Sequence, residues 1–437
     1  MWSHSVNQLG FLLEGSSARF GEAWTRSGKT PQLRVSDTFV HPGSHMKVIL
    51  ALIACMVALS MLELCARIIP VESDEFKRVR LQREFKQSTK FHPQWGWSFV
   101  PDADATWDYT GREREPIKIR FQTMPIPGYP DYGMRDDGLS SRAEQVIPIL
   151  GDSFTFGATV ERDEIWCELI EERNPAVDML NLANGGGLTK ACAQYEILRD
   201  LLPAHDVVIY EMWLGNEFFD NYAFPQLQPT LQTRIEEHTS DIRRLRLLSV
   251  SKVGFMAYSA QQNVRRTWRS VLKRTRKLGK PEDESLRYVA EADQMWDERY
   301  GNFYLRPRNP ILSRYAEPEY SDERIISGVH NTEKALLDMK SLVGERELVV
   351  ILFPFKAQLH EDLVKEQRPE LDLDKPNRIV ESFCTQHDVV CMDLLPLLRA
   401  KEGQQLYWDY DTHFTSVGQM VASGEVESLL RNHGIIR

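Results

Sequence analysis

The sequence predicts an α/β fold built on a parallel sheet of about five strands. Five short apolar runs, at 146–150, 177–182, 207–213, 348–353 and 389–394, each have the length of a strand. They lack polar alternation, which suits strands covered on both faces, as parallel strands are. Segments with helical spacing separate them; Ile165, Trp166, Leu169 and Ile170 mark one at 163–172.

The first of these runs leads into Gly151-Asp152-Ser153-Phe154-Thr155-Phe156-Gly157. A residue where a strand of an open α/β sheet ends lies on the edge where such sheets bind ligands. The second run ends in Asn181-Leu182-Ala183-Asn184-Gly185-Gly186-Gly187, which offers bare backbone N–H groups. The third ends in Trp213-Leu214-Gly215-Asn216-Glu217, which adds an amide side chain. Near the C-terminus, Asp409-Tyr410-Asp411-Thr412-His413-Phe414 sets two carboxylates close to an imidazole. Each signal alone has an ordinary structural reading, as an N-cap, a flexible turn, a helix entry or a surface pair. All four fall on loops, and three follow strands directly.

Composition narrows the remaining classes. With 437 residues and 42% hydrophobic content, the chain can bury one large core or two smaller ones. A net charge of −10 argues against a nucleic-acid partner. The six cysteines have no metal-type spacing, so no zinc site is expected. A Cys384–Cys391 disulfide stays open beside the reading of buried free thiols.

Residues 1–45 show no periodicity and read as a disordered extension or a mis-assigned start. Met46-Lys47 then opens an apolar run that continues to Ile69 and stops at Pro70. It is long enough, with its last residues, to be a transmembrane signal anchor at 46–70. A cleaved signal peptide fits less well, because no small-x-small site follows the run. Arg19, Arg26, Lys29, Arg34 and Lys47 precede it and favour an N-inside orientation. The expectation is a single-pass protein of the inner (cytoplasmic) membrane, with its bulk on the periplasmic or extracytoplasmic side. Residues 71–145 form a juxtamembrane and cap region, whose Trp95, Trp97, Trp107 and Tyr109 read as packing. The domain at 146–437 carries a helical insertion at about 218–346. That insertion holds a cationic cluster from Arg243 to Lys280, which suits either a solvated helix face or an anionic membrane surface.

Taken together, the four loop motifs resemble the SGNH (GDSL-type) hydrolases. Gly151-Asp152-Ser153-Phe154 matches the family's serine motif, Gly186 its glycine, Gly215-Asn216 its asparagine and His413 its histidine. The likeness is to a membrane-anchored bacterial branch, with His92-Pro93, Gly96-Trp97 and Gly133-Met134-Arg135-Asp136 as further matches. The common family pattern puts the acid three residues before the histidine, where this chain has Tyr410. Asp411 fits the Asp-x-His-aromatic variant, and Asp409 is the reserve acid.

The resemblance implies a flavodoxin-like three-layer α/β/α domain. It also implies Ser153 as nucleophile, His413 as base and Asp411 as the acid that orients it, with Gly186 and Asn216 lending an oxyanion hole. The implied activity is that of a serine esterase that needs no metal or organic cofactor and acts on an acylated small molecule or glycan; the membrane tether is what points to O-acyl groups, acetyl above all, on cell-surface glycans. An O-acyltransferase to a polysaccharide, a lipid-directed esterase and a non-catalytic glycan-binding or assembly protein are the alternatives.

Overall fold

The computed structural model describes residues 49–51, 53–58, 60–61, 74–108, 117–250, 315–366, 368–401, 403–409 and 411–437. The chain divides into two compact units, Met1–Val79 with Leu245–Gly279, and Arg80–Arg244 with Lys280–Arg437. In the first unit, residues 49–61 are helical where described, with Ile49, Leu50, Ile53, Met56, Val57 and Met61 exposed. No helix among the described residues is long and apolar enough to cross a membrane. Of the expected 46–70 span, 46–48 and 62–70 lie outside the described residues, as do the 1–45 extension and Tyr109.

The second unit begins within helix α1 (Asp74–Gln87) and continues into an antiparallel cap. Strands β1 (Thr89–His92), β2 (Gly96–Phe99), β5 (Met124–Ile126) and β6 (Tyr129–Met134) form one sheet in the order β1-β2-β6-β5. Strands β3 (Asp104–Asp108) and β4 (Lys118–Gln122) pair as a separate antiparallel ladder. Trp107 stacks on Phe121 at 3.8 Å between ring centroids, and Phe99 and Phe156 complete the cluster. The cap is therefore short strands held by aromatic packing, and Phe156 brings the loop after Ser153 into it.

The five apolar runs form the parallel sheet. Strands β7 (Gln145–Val146) and β8 (Ile149–Leu150) are one line of chain broken at Pro148; β9 (Val177–Asp178) and Asn181 pair alongside it. Strand β10 (Val207–Trp213) pairs with β8 and with β11 (Glu347–Phe353), which pairs with β12 (Val390–Asp393), all in parallel. Numbered as five successive strands, the spatial order is 2-1-3-4-5, the flavodoxin-like order. Every residue of β10 is buried, and all of β11 but Glu347. That is why these strands read as apolar runs rather than alternating ones.

Two groups of helices cover the sheet. Helices α3 (Leu188–Leu198), α4 (Glu217–Leu227), α6 (Glu323–Val343) and α8 (Lys375–Gln386) pack in sequence on one another, while α2 (Trp166–Arg173) packs with α10 (Ser416–Asn432). Right-handed crossovers in this strand order put the two groups on opposite faces. Helices α5 (Leu231–Val250), α7 (Glu361–Lys365) and α9 (Leu395–Arg399) complete the described set. Helices at both ends of the expected insertion, α4 and α6, thus belong to the layer over the sheet; its residues 251–314, with most of the cationic cluster, lie outside the described residues. Cys384 is buried with Cys391 beside it, and both are free thiols.

Helices α4 and α6 cross closely because Gly328 has no side chain. A Cβ there would fall 1.9 Å from the Phe218 carbonyl oxygen. Gly328→Ala is therefore expected to destabilise the fold by about 2–3 kcal/mol, measured by urea denaturation, despite alanine's better helix propensity.

Candidate active site

Ser153 stands just past β8, at the C-terminal edge of the sheet, and is half-buried. Its Oγ lies 2.7 Å from His413 Nε2. On the other side of the ring, His413 Nδ1 lies 2.5 Å from Asp411 Oδ1. The same carboxylate oxygen accepts the His413 backbone N–H at 3.0 Å, so a local turn fixes the carboxylate against the ring. Asp411 and His413 are both buried. Burial alone would raise the Asp411 pKa, but the facing imidazole and its hydrogen bonds outweigh it and hold the carboxyl well below the usual range. Asp409 points elsewhere: its backbone carbonyl accepts from Lys356 Nζ at 3.0 Å, and its exposed carboxylate accepts from Gln405 Nε2 at 3.3 Å.

Aromatic packing joins the serine to the histidine across 260 residues of chain. Phe154 is fully buried, and its ring lies 5.3 Å from His413, 5.0 Å from Phe414 and 5.1 Å from Trp213, centroid to centroid. Gln419 of α10 adds polar ties, donating to the Phe154 carbonyl and accepting from Trp166 N–H, both at 3.0 Å. Thr159 Oγ1 donates to the Phe414 carbonyl at 3.0 Å. Two glycines are forced by close approach: a Cβ at Gly215 would sit 2.2 Å from the Trp213 ring, and one at Gly418 would sit 2.1 Å from the Leu406 carbonyl oxygen.

Gly186 and Asn216 are carried on neighbouring loops that are tied together. Glu217 Oε1 accepts the Leu188 N–H at 2.8 Å, and Asn221 Oδ1 accepts the Thr189 N–H at 2.8 Å. Gly186 has φ +90°, and Lys190 fills the space where its Cβ would be. Among the described residues, no hydrogen bond uses the N–H of Ser153 or of Gly186. The Asn216 side chain lies against the Asp152 carboxylate. Backbone donors and a side-chain amide thus stand on loops that follow other strands of the same sheet, and they are the kind of donors that an oxyanion requires. A surface cavity of about 460 Å³, lined by Pro93, Gln94, Ala193, Glu196, Ile197 and Gln228, includes none of these groups.

Three supporting groups have no counterpart among the candidates drawn from sequence. Glu211, in mid-β10, is fully buried and its Oε2 accepts from Asp152 N–H at 3.1 Å and Thr155 Oγ1 at 3.0 Å. Glu211 Oε1 and Asp152 Oδ2 are both buried without a donor, and the two carboxyls face each other. One proton between them satisfies both; burial raises both carboxyls above the usual carboxylate range, and the neighbouring Asp152 charge adds to the rise at Glu211, so the pair shares that proton. Its signal in the sequence was a lone charge inside an apolar strand. Arg135, in the cap's Gly-x-Arg-Asp turn, is fully buried and donates to the carbonyls of Phe156, Gly157 and Val160, gripping the loop after the serine. Lys190 donates to the carbonyls of Asn184 at 3.0 Å and Gly185 at 2.6 Å, which holds the glycine loop in place.

No family model matches the chain. A 91-residue stretch is 29% identical to a protein of Azotobacter vinelandii described as a probable alginate O-acetylase AlgJ; the match covers 21% of this chain and 24% of that protein. The chain thus spans about a quarter of the length of that curated relative. Among solved structures, a member of the lipolytic G-D-S-L family from Veillonella parvula aligns with 66% of this chain and 98% of its own, at 10% identity and a TM-score of 0.33. A carbohydrate acetylesterase family member from Sinorhizobium meliloti aligns with 66% of this chain and 97% of its own, at 8% identity and a TM-score of 0.31. An acetylxylan esterase from Geobacillus stearothermophilus, Axe2, aligns with 67% and 95%, at 12% and 0.31. The chain resembles the SGNH hydrolases. It does so in its serine motif and in the strand order that brings that motif to the sheet edge.

Glu211→Leu removes the partner of Asp152 N–H, of Thr155 Oγ1 and of a buried carboxylate, and is expected to destabilise the fold by about 3 kcal/mol in urea denaturation. Glu211→Gln, whose amide can donate to Asp152 and accept the other two bonds, is expected to cost less than half as much.

Lys190 yields a pH dependence. Burial lowers its ammonium from the ordinary 10.5 to about 7, with Asp220 opposing. Between those two values the unfolded chain binds the extra proton, so this group's contribution to stability rises with pH across that window. The stability difference between the wild type and Lys190→Met is expected to shift in favour of the wild type from about pH 7.5 to about pH 9.5, measured by denaturation at each pH.

Proposed function

We propose that the chain is a serine-dependent enzyme of O-acyl ester chemistry, acting on acetylated glycans at the cell surface. The observation that carries this is the continuous line Ser153 Oγ, His413 Nε2, His413 Nδ1, Asp411 Oδ1, at 2.7 Å and 2.5 Å. In this reading His413 takes the Ser153 proton as Oγ attacks the acyl carbonyl, and Asp411 keeps the imidazole in the tautomer that can accept it. The N–H groups of Ser153 and Gly186 and the Asn216 amide receive the developing oxyanion. Collapse of the tetrahedral adduct releases the sugar hydroxyl, with the proton returned from His413. Water, activated by the same histidine, then frees the acetate.

A second reading has a sugar hydroxyl take the place of water, so that the acyl group is transferred to a polysaccharide. The stretch similar to a protein described as an alginate O-acetylase favours it. Tethering to the inner membrane, with the catalytic unit on the extracytoplasmic side, remains part of the proposal. The exposed apolar residues of the 49–61 helical stretch support it.

The test uses the full-length chain with a fluorophosphonate probe and p-nitrophenyl acetate. Ser153→Ala is expected to lose labelling and about a millionfold of kcat, and His413→Ala to lose turnover to a similar degree. Asp411→Asn is expected to lose about 10⁴-fold, and Asp409→Asn less than about threefold, since no bond links it to the imidazole. Wild-type protein that is folded yet neither labels nor turns over acetyl esters would sink the proposal. Acetyl transfer to an added oligosaccharide, measured against hydrolysis, decides between the two acceptors.

A further inference from the structure

We infer that a carboxylate cluster between the cap and α2 is a binding site for one hard divalent cation of Ca²⁺ size. Asp137, Glu168 and Glu171 each bring a carboxylate oxygen within 4.8 Å of the other two. Ca²⁺ binds oxygens at about 2.3–2.6 Å, so ligands around one ion stand up to roughly 5 Å apart. Glu168 and Glu171 are three apart on α2 and therefore share a face. Asp137 follows the Arg135-Asp136 turn of the cap, is exposed, and leaves the cluster open to solvent.

A separate observation points to a ligand. Glu168 is only 8% exposed, and its Oε1 is buried without a donor. Of the neighbouring carboxylates, Asp178 Oδ2 accepts Ser140 N–H at 2.7 Å, and Glu171 Oε1 accepts Met179 N–H. Asp136, buried as well, spends its two oxygens on Gly138 N–H and Asn181 N–H, each at 2.7 Å. Asp136, Asp137 and Asp178 all act on Glu171 as like charges, and Asp136, Asp137 and Glu171 do the same to Glu168. The cation facing the cluster is Arg162, whose Nε stands 4.0 Å from Glu168 Oε2, beyond hydrogen-bond length. Five carboxyls crowd against one guanidinium, and burial and mutual repulsion make ionising all of them costly. One divalent ion offsets that repulsion and gives Glu168 Oε1 the partner that it lacks.

The site would act as a clamp rather than in the chemistry. It would tie the turn carrying Arg135 to α2, and Arg135 holds the carbonyls of the loop after Ser153. Because it does not depend on the acyl-transfer reading, it can be tested in Ser153→Ala protein as well.

The experiment measures Tb³⁺ luminescence excited through tryptophan, its displacement by Ca²⁺, and thermal unfolding of the full-length chain after chelation, with and without Ca²⁺. The expected result is saturable Tb³⁺ binding displaced by Ca²⁺, and a rise in unfolding temperature of about 5 °C at a hundredfold excess over Kd. Asp137→Asn, at an exposed position that leaves the apo fold intact, and Glu168→Gln should each weaken Ca²⁺ binding at least tenfold. No Ca²⁺ response in the wild type up to about 10 mM Ca²⁺, roughly tenfold above the Kd of the weakest extracellular sites, overturns the inference. So does a response that both variants retain unchanged, since the ion would then bind elsewhere.

Discussion

The structure depends on docking the turn after β8 to the loop before α10, two segments that the chain keeps far apart. Neither is regular structure, so no ladder of backbone hydrogen bonds can align them. The Phe154 ring does that work by filling the space between Trp213, Phe353, Tyr407 and Phe414, with His413 on its edge. A buried aromatic contributes a large contact area in a defined orientation, and close packing transmits any shift of the ring. Because Phe154 follows Ser153 directly, the position of the ring fixes the position of the hydroxyl.

Polar groups then set the finer geometry, and nearly all of them are buried. Glu211 holds Asp152 from beneath through the sheet, Arg135 holds the following loop from the cap, and Glu217 with Asn221 holds the two donor-bearing loops together. Burial raises the Glu217 carboxyl to about 8, against the pull of its bonds to Leu188, Asn221 and Tyr210. A carboxyl held near neutrality accepts hydrogen bonds without carrying a full charge into a low-dielectric interior. Such networks are stabilising only when complete, so each anchor constrains its neighbours as well as the loop that it holds.

The sheet was legible in the sequence because both of its faces are covered. The Val207–Trp213 run is a fully buried strand, and the run at 146–150 is one strand line despite Pro148. Pro148 lacks an N–H, but its carbonyl still accepts from Ile209 N–H at 3.0 Å, so the line survives the break. The serine and histidine were legible because their motifs carry local cues. The choice between Asp409 and Asp411 was not, since spacing places both within reach. What separates them is a turn in which Asp411 Oδ1 takes the His413 N–H, and spacing does not encode that. Glu211 was hidden for the opposite reason: its neighbours are so apolar that they mark the strand, and the one charge among them reads as noise. Arg135 and Asp136 were visible as a turn, but their partners lie on other loops, which a one-dimensional reading does not reach.

The Asp411 turn also explains how a loop can hold an imidazole in a defined orientation. Loops are ordinarily the most mobile parts of a fold. Here the carboxylate binds the histidine's own backbone N–H and its ring with one oxygen, so ring and carboxylate move together. The loop is pinned on either side by the Tyr407–Phe414 bridge and by the Thr415 cap, whose side chain accepts Gly418 N–H at 3.1 Å. Lys356 adds bonds to the carbonyls of Trp408 and Asp409. The imidazole is thus held on its Asp411 side, and Phe154, which follows Ser153 directly, packs against it at 5.3 Å between ring centroids. A site assembled in this way is more sensitive to changes in its anchors than to changes at an exposed position such as Asp409.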